Sequence, residues 1–150
     1  MRRDIVEKIA GSKAVKRMKK ELAYLVLYGS YAKGRQGPLS DVDLLVEFKD
    51  RKLDLKRLGA LASMLEEELG VKVDLVQACT APPALRYKAL NNGIPVIIAD
   101  RHTYIDDKVL ATMEWLDFKQ IYERTTRKMI EAVKHGRLSQ PKTSGEKRTT

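Results

Sequence analysis

Residues 29–43 read GSYAKGRQGPLSDVD, between an apolar run from Leu22 to Tyr28 and a second one, Leu44-Leu45-Val46. The pattern predicts a strand, a short Gly-rich turn and another strand. Gly29 lacks a side chain, so backbone there can approach a ligand closely. Ser30 offers a hydroxyl where a short helix can begin, an arrangement that suits phosphate oxygens. Lys33 and Arg35 bring positive charge within reach of the same turn. Asp41 and Asp43 are two apart on a strand, so both point to one face.

Two carboxylates side by side repel each other unless cations lie between them. Mg²⁺ answers that need, because it takes hard oxygen ligands and accepts substrate phosphates as further ligands. A phosphate cradle beside a paired-carboxylate metal site points to phosphoryl or nucleotidyl transfer from a nucleoside triphosphate. Gly-Ser alone is an ordinary turn, and Asp-x-Asp alone occurs by chance. The two together, each at a strand end, form a specific signal.

The spacing Gly29-Ser30, ten residues, then Asp41-Val42-Asp43 resembles the GS-x10-DxD signature of the polymerase-beta-like nucleotidyltransferase superfamily. From about Leu22 to Asp100 the chain is similar to the small stand-alone group called minimal nucleotidyltransferases (MNT). That group carries a third carboxylate on the next strand, and Val71-Lys72-Val73-Asp74-Leu75-Val76 supplies it at Asp74. The resemblance implies a mixed α/β fold, with a four- to five-stranded sheet and helices mainly on one face. It implies two Mg²⁺ ions held by Asp41, Asp43 and Asp74, with Asp74 acting as ligand or as general base. It implies ATP as substrate, its triphosphate held by Gly29 and Ser30. A basic residue three positions after the Ser is frequent in the family, which favours Lys33 over Arg35.

Many proteins of this group look like antitoxins. Their partner is a helical HEPN ribonuclease, silenced by transfer of AMP to a tyrosine. By the resemblance, such a toxin is the expected partner here, in a homo- or hetero-oligomer. The chain is not itself such a ribonuclease, since no Arg is followed by His after four to six residues.

Composition sets outer bounds. The 150 residues suffice for one domain with a real core, and 43% apolar with 33% charged residues marks a globular chain. No stretch reaches transmembrane length, and the basic N-terminus lacks a signal-peptide core, so no membrane is expected. The single cysteine, Cys79, excludes an internal disulfide and fits a reducing cytoplasm. His102 and His135 are far apart, and no Cys/His cluster has zinc spacing. The net charge of +9, part of it near the C-terminus, leaves nucleic acid, nucleotide or an acidic protein open as partner. The Lys/Glu-rich, Asn/Gln-poor composition hints at a thermophile.

The rest of the chain orders itself around the motif. Two short basic helices precede the first strand, split at Gly11-Ser12 with Ser12 capping the second. The first strand, Ala23 to Tyr28, is apolar on both faces and therefore central. Along Val42 to Phe48, parity separates Val42, Leu44, Val46 and Phe48 from Asp41, Asp43 and Leu45. A helix bearing Leu58, Leu61, Leu65 and Leu69 ends at Gly70 and leads to the strand Val71 to Gln77. A strand-helix-strand unit of this length makes the two strands parallel and brings Asp74 beside Asp41 and Asp43. The apolar character of that third strand argues against an exposed edge. A helix from Pro82-Pro83 ends at Asn91-Asn92-Gly93, and Ile94 to Ala99, with Pro95, is an edge strand.

A long helix from about Thr103 to His135 carries two apolar stripes. One is Ile105, Val109, Met113 and Leu116; the other is Trp115, Phe118, Tyr122, Met129 and Val133. The second stripe either wraps the core or contacts a protein. The expected organisation is a nucleotidyltransferase domain at 1–100, a C-terminal helix at 101–135 and a basic disordered tail at 136–150. The basic ends leave RNA contact open. Three functions remain in view: an adenylyltransferase acting on a partner protein, a non-catalytic binding module using the long helix, and a basic nucleic-acid-binding domain. Three converging carboxylates favour the first, because a pure binder has no need of them.

Overall fold

A computed structural model describes residues 2–136. The proposed basic tail therefore lies outside the described residues, Gly136 excepted. Helices α1 (Arg2–Ala10) and α2 (Lys13–Met18) lead into β1 (Leu22–Tyr28), and α3 (Gly29–Lys33) follows directly. Then come β2 (Val42–Phe48), α4 (Leu55–Leu69), β3 (Val73–Gln77), a 3₁₀ turn (Ala78–Thr80), α5 (Pro83–Asn92), β4 (Ile94–Ile98) and α6 (Arg101–Lys134). The expected break between the first two helices holds, and the Ser12 hydroxyl accepts the Val15 N–H to cap α2.

The four strands form one mixed sheet in the order β3-β2-β1-β4. β1 runs antiparallel to both β2 and β4, while β2 and β3 are parallel. β1 is interior, as its two apolar faces require, and Leu22 to Leu27 are all buried. The parity read along β2 is also the observed one. Val42, Leu44, Val46 and Phe48 join Ile9, Val15, Leu61 and Leu65 in the larger core cluster, under α1, α2 and α4. Leu45 lies on the other face with Tyr24, Val26, Ala89, Leu90 and Tyr104, under α5 and the start of α6.

One expectation needs correction. β3 is an edge strand and Asp74 is exposed. Apolar residues in a strand report what covers its two faces; they do not report whether its outer edge is paired. Val73 is buried and Leu75 packs on the larger core, yet no strand pairs beyond β3 among the described residues.

The described chain forms two compact units, one through Met113 and one from Glu114 onward. In the first, Asp100 caps α6: its carboxylate accepts the Thr103 N–H and hydroxyl. In the second, the aromatic rings of Trp115, Phe118 and Tyr122 line up along α6, with Phe118 stacked on Tyr122 at 6.2 Å. No helix among the described residues is long and apolar enough to cross a membrane.

Candidate active site

β1 ends at Tyr28, and the chain turns at once into α3. The turn demands Gly29: its φ is +76°, and a Cβ there would collide with the Asp43 carboxylate. α3 closes at Gly34, also left-handed, whose N–H donates to the carbonyls of Ser30 and Tyr31. Gly29 and Ser30 thus open α3, Lys33 is its last residue, and Arg35 follows with its N–H donating to the Ser30 carbonyl at 2.8 Å. Lys33 and Arg35 are exposed; Ser30 is half-buried.

The loop then returns to β2. Gly37 N–H donates to the Ser40 hydroxyl at 2.7 Å, which shapes the turn just before Asp41. The Val42 N–H donates to the Lys72 carbonyl at 2.9 Å and so starts the parallel ladder. That ladder sets Asp43 opposite Asp74, while the antiparallel ladder on the other side sets Asp43 opposite Tyr28. The three predicted carboxylates therefore meet at one end of the sheet, with Gly29 pressed against the middle one.

Their electrostatics bear the mark of that meeting. Burial pushes the Asp43 carboxyl above its usual range, and the charges of Asp74 and then Asp41 push it further. Burial, followed by Asp43 and Asp74, raises the Tyr28 hydroxyl to about 12. Among the described residues, no three Asp, Glu, His or Cys side chains stand close enough to hold one ion as they are placed. The donor set is nevertheless hard oxygen, carries three like charges at the starts of two adjacent strands, and has no cationic side chain among the causes of the Asp43 shift. Those features suit Mg²⁺ rather than a soft metal.

Beside this acidic edge lies a pocket of about 260 Å³ between α3 and α5. Tyr28, Gly29 and Lys33 line one side, and Leu85, Lys88 and Asn92 the other. Sequence reading missed the α5 wall. A signal was present, since Leu85, Lys88 and Asn92 are spaced i, i+3, i+7 and share a helix face. Asn91-Asn92-Gly93 was legible only as a helix stop. Gly93 has a further reason to be glycine: a Cβ would run into the Leu27 carbonyl at 2.7 Å, so α5 packs directly on β1.

Sequence reading also missed a second polar cluster on the same sheet face. Tyr24 donates its hydroxyl to the Asp107 carboxylate at 2.7 Å, and Arg51 pairs with the same carboxylate at 2.6 Å. Glu47, buried in the next strand, accepts from the Gln77 side-chain amide at 2.9 Å. Gln77 also donates to the Lys52 carbonyl at 2.8 Å.

The family profile described as "Polymerase beta, Nucleotidyltransferase" matches residues 12–102, more than half of the chain. A protein of Methanocaldococcus jannaschii that bears the name protein adenylyltransferase is 41% identical over 73 residues, 47% of this chain and 75% of that one. A second of that name from the same organism is 35% identical over 74 residues, 49% of this chain and 74% of its own. Among solved structures, a chain described as a toxin-antitoxin with AMP-PNP superposes with a TM-score of 0.61 at 26% identity, covering 85% of this chain and 97% of that one. A chain from the Shewanella oneidensis complex of tri-AMPylated HEPN toxin with MNT antitoxin shares the fold, with a TM-score of 0.64 at 21% identity over 87% of this chain and 99% of that one. Profile, sheet order and the Gly29-Ser30/Asp41-Asp43 turn agree: the chain belongs to the polymerase beta nucleotidyltransferase family and is a nucleotidyltransferase.

Proposed function

We propose that this protein transfers AMP from ATP to a hydroxyl, that the acceptor is a tyrosine of a helical HEPN ribonuclease, and that it thereby acts as an antitoxin. The observation that carries the reaction is the register of Asp43 against Asp74, with Gly29 packed on the Asp43 carboxylate. The named adenylyltransferase relatives and the likeness to a toxin-antitoxin chain with AMP-PNP support the nucleotide and the acceptor class.

In this reading Asp41, Asp43 and Asp74 would hold two Mg²⁺ ions, which would supply charge neutralisation of the phosphates and activation of the acceptor oxygen. Gly29 and Ser30 cradle the triphosphate, and Lys33 and Arg35 contribute positive charge. The acceptor oxygen attacks the α-phosphorus, a new P–O bond forms, and the bond to the β-phosphate oxygen breaks to release pyrophosphate. Asp74 is exposed at the sheet edge and so is accessible to an acceptor; the hydroxyl proton passes to it. The protein's contribution is alignment of the two reacting groups. Calorimetric titration of ATP tests the metal part. Binding is expected to be strong with Mg²⁺ and weak in EDTA, because bare carboxylates repel phosphates; equal affinity in both would end the two-ion reading.

A second reading, a non-catalytic module that binds its partner through α6, has its own observation. Phe118, Tyr122, Met129 and Val133 are each more than half exposed in the unit beginning at Glu114. Large aromatics at the centre of an interface commonly contribute about 2 kcal/mol or more each. Phe118→Ala with Tyr122→Ala is expected to weaken association with the HEPN partner, or self-association, by more than about tenfold in sedimentation. The melting curve of the double variant is expected to stay where it is. If melting falls and association holds, the stripe is core and the binding role is lost. RNA contact through the basic segments stays a proposal, tested by titrating RNA at two salt concentrations.

A further inference from the structure

The pocket between α3 and α5 has cations on opposite walls. Lys33 closes α3 on one side, and Lys88 stands on α5 on the other. Both are exposed, and neither forms an ion pair among the described residues. Tyr28 and Gly29 line the pocket as well, and Gly29 carries it to the Asp43 carboxylate. The pocket therefore has one lysine on each wall, beside the apolar Ala32 and Leu85, and leads to a negative end. Two lysines facing one cavity gain more from an anion than from an uncharged nucleobase. They suit an anion that extends away from the carboxylates, and an ammonium group meets phosphate oxygens as a compact point charge.

We propose that Lys88 is a substrate-binding residue: with Lys33 across the pocket, it grips the β- and γ-phosphates of the nucleotide and then the departing pyrophosphate. This rests on the nucleotidyl-transfer reading above and adds to it the second wall of the triphosphate site. Asn92, one turn further along the same face of α5, donates its amide to the same phosphate chain. The placement also explains why α5 is held so tightly to β1 at Gly93. A wall that carries a phosphate ligand must keep its distance from Gly29 constant, and the absent Cβ at Gly93 permits direct contact with the Leu27 carbonyl.

The test is calorimetric titration of the full chain with ATP, pyrophosphate and AMP, each with Mg²⁺, for the wild type, Lys88→Met and Lys88→Arg. Lys88→Met is expected to lose about tenfold or more in affinity for ATP and for pyrophosphate while its affinity for AMP is unaltered. Lys88→Arg is expected to keep most of the binding. Lys88 is exposed, so both variants are expected to melt with the wild type. Unchanged pyrophosphate affinity in Lys88→Met overturns the assignment. A loss for AMP as large as that for ATP overturns it as well, because the pocket then holds the nucleoside. Failure of the wild type to bind ATP at all removes the transfer reading itself, whereas wild-type binding with an indifferent Lys88→Met removes only the role of Lys88.

Discussion

One face of the sheet carries two tyrosine–carboxylate pairs, and they have been treated in opposite ways. Across β1 and β2, Tyr28 stands opposite Asp43 and Tyr24 opposite Glu47. The two pairs are four residues apart along each strand, about 13 Å at strand rise. Between them Val26 and Leu45 form an apolar plug in the smaller core cluster. At the Tyr24 end every polar group described has found a partner: Gln77 donates to Glu47, and Asp107 receives both Tyr24 and Arg51. At the Tyr28 end three carboxylates crowd together, and the Asp43 carboxyl is driven upward by burial and by its own neighbours. The first arrangement stabilises a fold. The second costs stability, a cost that cations and an anionic substrate would offset under the proposed function. The difference lies in what the neighbouring elements bring, since α6 delivers Asp107 and the β2–α4 connector delivers Arg51 to one end only.

The sharpest way to break this contrast is Asp43→Asn, which removes charge from the open end at constant volume. Transfer, followed as label from α-³²P-ATP entering the partner, is expected to fall on the order of a thousandfold or more, about 4 kcal/mol of transition-state stabilisation. The melting temperature is expected to hold or rise, because a like charge leaves a repulsive cluster. Near wild-type labelling would move the chemistry elsewhere.

Asp107→Asn makes the opposite cut, at the paired end. It weakens the acceptor for Tyr24 and removes the partner of Arg51, whose side chain is 48% exposed and so loses less than a buried cation. The expected cost is about 2 kcal/mol, roughly 4–8 °C in melting temperature for a chain of this length. ATP affinity is expected to stay the same. A variant that melts normally but no longer binds ATP would show that the two ends are not separate in role.

The smallest effect concerns Tyr28. Its hydroxyl is raised from 10.0 to about 12, first by burial and then by Asp43 and Asp74. The folded state therefore holds this proton more firmly than the unfolded chain does. The resulting stability is complete below pH 10 and is lost as pH climbs through about 12. In Asp43→Asn the titration is expected to shift down, though not all the way, since burial is the larger cause. Ultraviolet absorbance of tyrosinate, with Tyr28→Phe subtracted, reads it directly. An unmoved titration would mean that Asp43 and Tyr28 do not feel each other across the ladder.

Local chemistry makes much of this molecule legible in its amino-acid sequence. A glycine at a turn, a serine cap and strand parity act between neighbouring residues, so Gly29, Ser12 and the two faces of β2 could be read from the chain alone. The parallel pairing that brings Asp74 to Asp43 could also be read, because a strand-helix-strand unit has few ways to close. Tertiary structure decided what depends on residues distant in sequence. Strand composition argued against an exposed edge at β3, yet the sheet places it at one. Asp107 looked like one more charge on a long helix until α6 set it against Tyr24, 83 residues away. Lys88 became a pocket wall only when α5 was packed against β1. Side-chain periodicity encodes which face of an element is apolar; which polar groups converge is settled by the packing of whole elements.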